Sequence, residues 1–241
     1  MSTSSVPAMR PDIALFLDFD GTLVRFEDDP TAVKVDDALR NAVLATAGLL
    51  DGALALISGR PIEQVDHCFA SAQIAVAGLH GLERRDPTGA MHREPAPPAL
   101  RFVAMQVRAA LAGHSAVWLE DKGAALAIHF RGAPECEGSV RRIATTVLAH
   151  LGPNFRALEG AYVIELLPKL VNKGTAVRAF MAQAPFCGRR PIFIGDDVTD
   201  LDGFEAAREL GGHGIAVGTR VSAEYRLADV AAVRDWLGVI A

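Results

Sequence analysis

The apolar run Ile13-Ala14-Leu15-Phe16-Leu17 ends in Asp18-Phe19-Asp20-Gly21-Thr22, and this junction constrains the fold more than any other segment. Burying a carboxylate is costly, and two close together repel unless a cation sits between them. In an extended strand, positions 18 and 20 point to the same side. Gly21 then lets the chain turn without a Cβ clash. The physical reading is an oxygen-rich cation site at the carboxyl edge of a buried strand, where α/β proteins bind ligands. An ordinary Asp-Gly turn is the simpler alternative.

The rest of the chain decides between them. Its 241 residues are 50% hydrophobic and 22% charged, enough for a sizeable core and unlike a disordered chain. With 24 Lys+Arg against 29 Asp+Glu, the net charge of −5 favours neither nucleic acid nor an anionic membrane as partner. Cys68, Cys136 and Cys187 are scattered, without metal-ligand spacing, and read as reduced thiols of a cytoplasmic protein. Met1 to Met9 lacks the apolar stretch of a signal peptide, and no segment approaches the ~20 apolar residues that span a bilayer.

Strands and helices alternate along the first third. Asp36 to Leu49 has helical spacing, Ala53 to Ile57 is a short apolar run before Ser58-Gly59-Arg60, and Pro61 suits a helix start. Gln73 to Ala77 then leads into Gly78-Leu79-His80-Gly81. This rhythm predicts βαβ units and a parallel sheet. The proline-rich Glu94-Pro95-Ala96-Pro97-Pro98 marks a junction. Beyond it, helices over 99–111 and 138–150 accompany strands over 117–120, 125–131 and 162–166. Past Pro168 the first rhythm returns, with a helix from Lys173 to Ala182, strands over 191–194 and 214–217, and a helix over 231–237. The expected fold class is α/β: a parallel-sheet core over 1–95 and 169–241, interrupted by an α+β cap over 96–168.

The core strands all end in polar residues: Asp18 and Asp20, then Ser58 and Arg60, then Asp196, Asp197 and Asp200, with Lys173 opening a helix after the cap. A parallel sheet would bring these ends to one edge. Carboxylates there suit a hard cation such as Mg²⁺, and a Lys and a Ser suit phosphoryl oxygens. The set fits phosphoryl transfer, where catalysis is mostly positioning and charge neutralisation. Arg60 could serve the site or cap local structure.

This ordering resembles the haloacid dehalogenase superfamily of phosphatases, whose motifs match Asp18-Phe19-Asp20-Gly21-Thr22, Ser58-Gly59, Lys173-Gly174 and Gly195-Asp196-Asp197 in order. The resemblance implies a Rossmann-like core and assigns roles. Asp18 would be the nucleophile that becomes an aspartyl-phosphate, and Asp20 the general acid and base. Asp18, the Asp20 backbone carbonyl and Asp196 would hold Mg²⁺, with Asp197 and Asp200 around them. Ser58, Gly59 and Lys173 would hold the phosphoryl group.

A narrower resemblance, to the trehalose-6-phosphate phosphatases, rests on further segments. These are Gly78-Leu79-His80-Gly81-x-Glu83, Glu120-x-Lys122-Gly123, His129-x-Arg131, Glu159-Gly160, Glu165-x-x-Pro168, Asn172-Lys173-Gly174 and the run Gly195 to Phe204. It implies trehalose 6-phosphate as substrate, with His80, Glu83, Glu120, Lys122, His129, Arg131 and Glu165 as its contacts and a cap that closes over it. It also leaves association with a trehalose-phosphate synthase open. Leu201 and Leu167 depart from that family's pattern, standing where it usually has an acidic and often has a basic residue. Residue by residue, Glu120 with Lys122 could equally be a structural ion pair, and His80 and His129 hydrogen-bonded structural histidines. A phosphatase of the same fold for another sugar phosphate, a sugar phosphomutase and a non-catalytic sugar-phosphate-binding module are the competing functions.

Overall fold

The computed structural model describes residues 6–26, 33–69 and 74–238. The chain divides into two compact units, one formed by Met1–Arg93 with Asn172–Ala241 and the other by Glu94–Val171.

The first unit is built on β1 (Ile13–Asp18), every residue of which is buried. Its neighbours are β2 (Leu54–Ile57), β3 (Ala75–Gly78), β4 (Glu83–Arg85) and β5 (Met91–Arg93) on one side, and β10 (Arg190–Gly195), β11 (His213–Val217) and β12 (Tyr225–Leu227) on the other, numbered along the chain. The sheet order is β12-β11-β10-β1-β2-β3-β4-β5, parallel from β12 to β3 and antiparallel at β4 and β5. From β1 the chain winds outward through β2 and β3, and later from β10 through β11 and β12. The reversal of winding lies between β1 and β10, and there the carboxyl ends of a doubly wound sheet open a crevice.

Amphipathic helices cover this sheet: α1 (Asp37–Leu49), α2 (Ile62–Phe69), α5 (Lys173–Met181), α6 (Leu201–Glu209) and α7 (Val230–Trp236). In α1, Leu39, Ala42, Val43 and Thr46 form the buried stripe, and the Asp36 carboxylate accepts from Leu39 N at 2.7 Å to cap the first turn. Phe16 of β1 stacks on Phe186 with ring centroids 5.4 Å apart, and Phe180 of α5 lies 5.2 Å from Phe186 and 6.1 Å from Phe16. All three rings are fully buried.

The second unit is a four-stranded antiparallel sheet in the order β6-β7-β9-β8. Its strands are β6 (Trp118–Asp121), β7 (Leu126–His129), β8 (Phe155–Gly160) and β9 (Val163–Pro168). Helices α3 (Pro98–Ala110) and α4 (Glu137–Leu151) supply Leu100, Val103, Val107, Val140, Ala144 and Val147 to a core shared with Leu126, Ile128, Ile164 and Leu166 of the strands. One face of this sheet is therefore the helix-facing, apolar one. Strand alternation sends Trp118, Glu120, His129 and Glu165 to the other face.

The α/β class and the largely parallel central sheet agree with the sequence reading, and most elements differ from it by a residue or two. Of the run Gln73–Ala77, the strand covers Ala75 onward, and Gln73 lies outside the described residues. The pattern read from sequence carries no signal for β4, β5, β8, β12 or α6. Among these, β4 and β5 are three-residue strands rich in charge, and Gly203 interrupts the helical propensity of α6. None of the helices among the described residues is long and apolar enough to cross a membrane.

The Phe16–Phe180–Phe186 cluster ties α5 to the central strand. Phe180→Ala should destabilise the protein by about 3–5 kcal/mol, through lost burial and the cavity left behind. Denaturant unfolding of the two proteins checks this.

Candidate active site

At the carboxyl edge of β1 and β10 the structure gathers Asp18, Asp196, Asp200 and Lys173. All four are buried, Asp200 at 0% and Lys173 at 3% exposure. The Lys173 ammonium donates to Asp18 Oδ1 and to Asp200 Oδ1, both at 2.6 Å. Lys173 opens α5, where a cation opposes the helix dipole. The two carboxylates outweigh that cost. An Asn172–Thr175 capping box fixes the helix start, with Asn172 Oδ1 accepting from Thr175 N at 2.9 Å and Thr175 Oγ1 from Asn172 N at 3.1 Å. At Gly174 a Cβ would overlap the backbone carbonyl of Asp202, so only glycine lets α5 lie this close to α6.

Asp200 uses its second oxygen locally. Oδ2 accepts from Asp196 N at 3.0 Å and from Asp197 N at 2.9 Å, folding the loop after β10 back on itself. Asp196 receives the Thr22 hydroxyl at 3.3 Å. Gly21 has φ +87°, and a Cβ there would overlap the Asp196 carboxylate. The Asp-Gly-Thr turn thus packs directly against the β10 loop. Asp197 stands at the rim, 3.0 Å from the Arg220 guanidinium.

Each of Asp18, Asp196 and Asp200 offers an oxygen, and these atoms all lie within 4.8 Å of one another. Burial pushes the Asp18 carboxyl well above its ordinary range, and Asp200 and Asp196 push it further while Lys173 pulls it back. Burial, then Asp200, raises Asp196 to about 6, with Lys173 again opposing. Burial works against the Lys173 ammonium too, yet Asp18 and Asp200 overcome it and raise its pKa. Three buried carboxyls, two of them bonded to the one ammonium, outnumber the positive charge beside them. An all-oxygen donor set of this kind fits a hard divalent cation.

Asp20 lies past the end of β1, outside the strand alternation expected from sequence, and its carboxylate is not one of these oxygens. Both its oxygens are held by Arg60, Nε to Oδ2 and one terminal nitrogen to Oδ1, each at 2.7 Å. Arg60 also lies 5.4 Å over the Phe19 ring. Ser58, 1% exposed, accepts from Arg60 N at 3.0 Å through Oγ, while its carbonyl accepts from His80 N at 2.9 Å. Gly59 lies under the His80 imidazole, where a Cβ would come within 2.8 Å of the ring. His80 itself sits at φ +58°, after Leu79 at +51°. Glu83 caps a helix: its Oε1 accepts from Ile62 N at the start of α2 at 2.7 Å, and Oε2 lies 3.6 Å from Arg93.

In the second unit, the remaining sequence-selected residues form a row on the polar face of the sheet. His129 Nε2 lies 2.9 Å from Glu120 Oε2, Lys122 lies 3.8 Å from Glu120, and Lys122 pairs directly with Glu165. The His129 hydrogen bond, assisted by Lys122, holds the Glu120 carboxyl below its ordinary range even though burial opposes this. Arg131 lies 5.0 Å over the Tyr162 ring and donates to Ala161 O at 3.5 Å. Leu167 is fully buried in β9 and Leu201 is exposed at the start of α6. Two contributors go beyond the sequence reading, which gives Thr22 no role and leaves Arg60 open between the site and a local cap. Thr22, within the Asp-Gly-Thr motif, orients Asp196, and Arg60 holds Asp20 across 40 residues of chain.

Comparison with known proteins agrees with this architecture. The chain is 40% identical over 228 residues to a probable trehalose-phosphate phosphatase of Sinorhizobium fredii, covering 95% of this chain and 86% of that protein. It is 38% identical over 239 residues to the trehalose-6-phosphate phosphatase of Escherichia coli, covering 98% and 90% respectively. A haloacid dehalogenase-like hydrolase from Bacteroides thetaiotaomicron shares the fold with a TM-score of 0.72 at 16% identity, over 94% of this chain and 98% of that one. The family model for trehalose-phosphatase matches residues 16–231, from within β1 to within α7. On that extent of agreement, the chain belongs to the trehalose-phosphatase family.

Proposed function

We propose that this protein is a Mg²⁺-dependent phosphatase that hydrolyses trehalose 6-phosphate to trehalose and phosphate through an aspartyl-phosphate on Asp18. The observation that carries the reading is the buried set Asp18, Lys173, Asp200 and Asp196 at the reversal of winding between β1 and β10. A trehalose-phosphate substrate is supported by the family match and by the names of the relatives.

In this reading a carboxylate oxygen of Asp18 attacks phosphorus, the bond from phosphorus to the sugar oxygen breaks, and Asp20 supplies the proton that oxygen takes up. Water then attacks the acyl phosphate, Asp20 accepts its proton, and phosphate leaves as the Asp18 carboxylate is restored. Lys173 and Ser58 hold phosphoryl oxygens, and the ammonium also aims Asp18 and favours its ionised form against burial and the neighbouring carboxylates. Asp18 and Asp196, with Asp200 behind them, would hold Mg²⁺, which when bound neutralises charge so that one anion can approach another. Both oxygens of Asp20 rest on Arg60, so Asp20 must leave that guanidinium to deliver its proton. Arg60 is thus a positioning residue. Glu120, Lys122, His129 and Glu165 supply charged hydrogen-bonding groups for the hydroxyls of a disaccharide.

Asp18→Asn should lower turnover by at least ~10³-fold while leaving the fold intact, because in this reading Asp18 forms the acyl phosphate. Substantial remaining activity would refute the nucleophile. Lys173→Met should abolish phosphate release and also destabilise the fold by about 3–5 kcal/mol, since it strands two buried carboxylates. Phosphate-release kinetics and thermal melts read the two effects separately. A panel of trehalose 6-phosphate, sucrose 6-phosphate and glucose 6-phosphate, with Mg²⁺ and with chelator, tests the substrate. Preference for another member would overturn trehalose 6-phosphate, and release insensitive to chelator would overturn the cation. Glu120→Ala should reduce hydrolysis of trehalose 6-phosphate far more than that of p-nitrophenyl phosphate.

A further inference from the structure

The polar row of the second unit ends in an aromatic that the mechanism does not use. Trp118, the first residue of β6, is 54% exposed. The strand register sets it directly opposite His129, and the two rings stack with centroids 4.1 Å apart and planes 11° from parallel. His129 is in turn fixed by Glu120, so the indole stands at one end of a connected series: Trp118, His129, Glu120, Lys122, Glu165. One face of the indole is occupied by imidazole and the plane is held. A large, flat, half-exposed apolar surface pinned beside charged hydrogen-bonding groups is a poor way to build a plain surface, because its burial has been forgone.

A pyranose ring has the complementary chemistry. Its edge is a belt of hydroxyls, suited to carboxylates and an ammonium, and its faces carry patches of C–H that stack on an aromatic plane. Ligand sites commonly combine one apolar platform with a few convergent polar groups in this way. Resting on the trehalose 6-phosphate reading above, we propose that Trp118 is a specificity-determining residue whose open indole face stacks against one pyranose ring of the disaccharide, while the polar groups beside it bind hydroxyls elsewhere on the disaccharide.

Steady-state kinetics on Trp118→Ala and Trp118→Phe test the proposal. Trp118→Ala should raise KM for trehalose 6-phosphate about tenfold with little change in kcat, the loss expected when one aromatic face is removed from a bound ring. Its kinetics on p-nitrophenyl phosphate, which lacks a sugar, should not change, and Trp118→Phe should recover most of the affinity. An unchanged KM in Trp118→Ala, or equal losses on both substrates, would overturn the stacking role. A second measurement does not depend on that variant folding. In Trp236→Phe, Trp118 is the sole tryptophan of the 241-residue chain, and trehalose should shift its emission saturably. Emission unmoved by trehalose would also overturn the proposal. A wild-type enzyme that ignores trehalose 6-phosphate in the substrate panel would instead overturn the substrate reading, so the two failures are distinct.

Discussion

The Lys173 ammonium, buried between Asp18 and Asp200, is the interaction on which the rest of the first unit depends. It joins β1 to the start of α5 across 155 residues of chain and to the loop after β10 across 27. None of the three charges could be buried alone. A lone buried carboxylate or ammonium would shed its charge or open the fold, whereas the triad keeps Lys173 charged and poised. Much of the local geometry serves this contact. The Asn172–Thr175 box sets where α5 begins, and the absence of a side chain at Gly174 lets α6 approach. Asp200 spends its free oxygen on the backbone of Asp196 and Asp197, which aims the second acid.

How much of this was legible in the sequence depends on distance along the chain. The buried run before Asp18 and the acids after Ile194 announce themselves locally, because apolar runs ending in acid are rare and physically costly. Lys173 was legible by its place in an ordered set of motifs. The grip of Arg60 on Asp20 was not, since it depends on a long side chain crossing between the ends of two neighbouring strands. Glu83 illustrates the same limit: its motif is visible, but only coordinates reveal that its carboxylate caps α2. Short polar strands such as β4 and β5 carry no alternating pattern to read. The stacking of Trp118 on His129 follows from a register that two separate strand segments do not specify until they pair.

The two units handle charge by different physics. In the Asp18–Lys173–Asp196–Asp200 cluster of the first, titratable groups are almost fully buried and their energies are dominated by desolvation and by one another. In the second, Glu120 and His129 keep partial contact with solvent, so their pairing is softer. A rigid charged centre suits bond breaking, and a set of replaceable hydrogen bonds suits recognition. The division also explains why the reaction class was easier to infer than the sugar.

The first unit is discontinuous in sequence, its halves separated by Glu94–Val171. This separates the two sides of the Asp18–Lys173 contact in the order of synthesis. As the chain leaves the ribosome, β1 through β3 emerge with Asp18, yet β10 and Lys173 follow only after the entire intervening unit has been made. The central strand β1 must wait with one edge unpaired, and its contacts with β10 are of high sequence separation, which slows closure of the sheet. Asp18 therefore meets Lys173 only after the intervening unit has been made, and until then β1 offers an open strand edge for chaperones to guard.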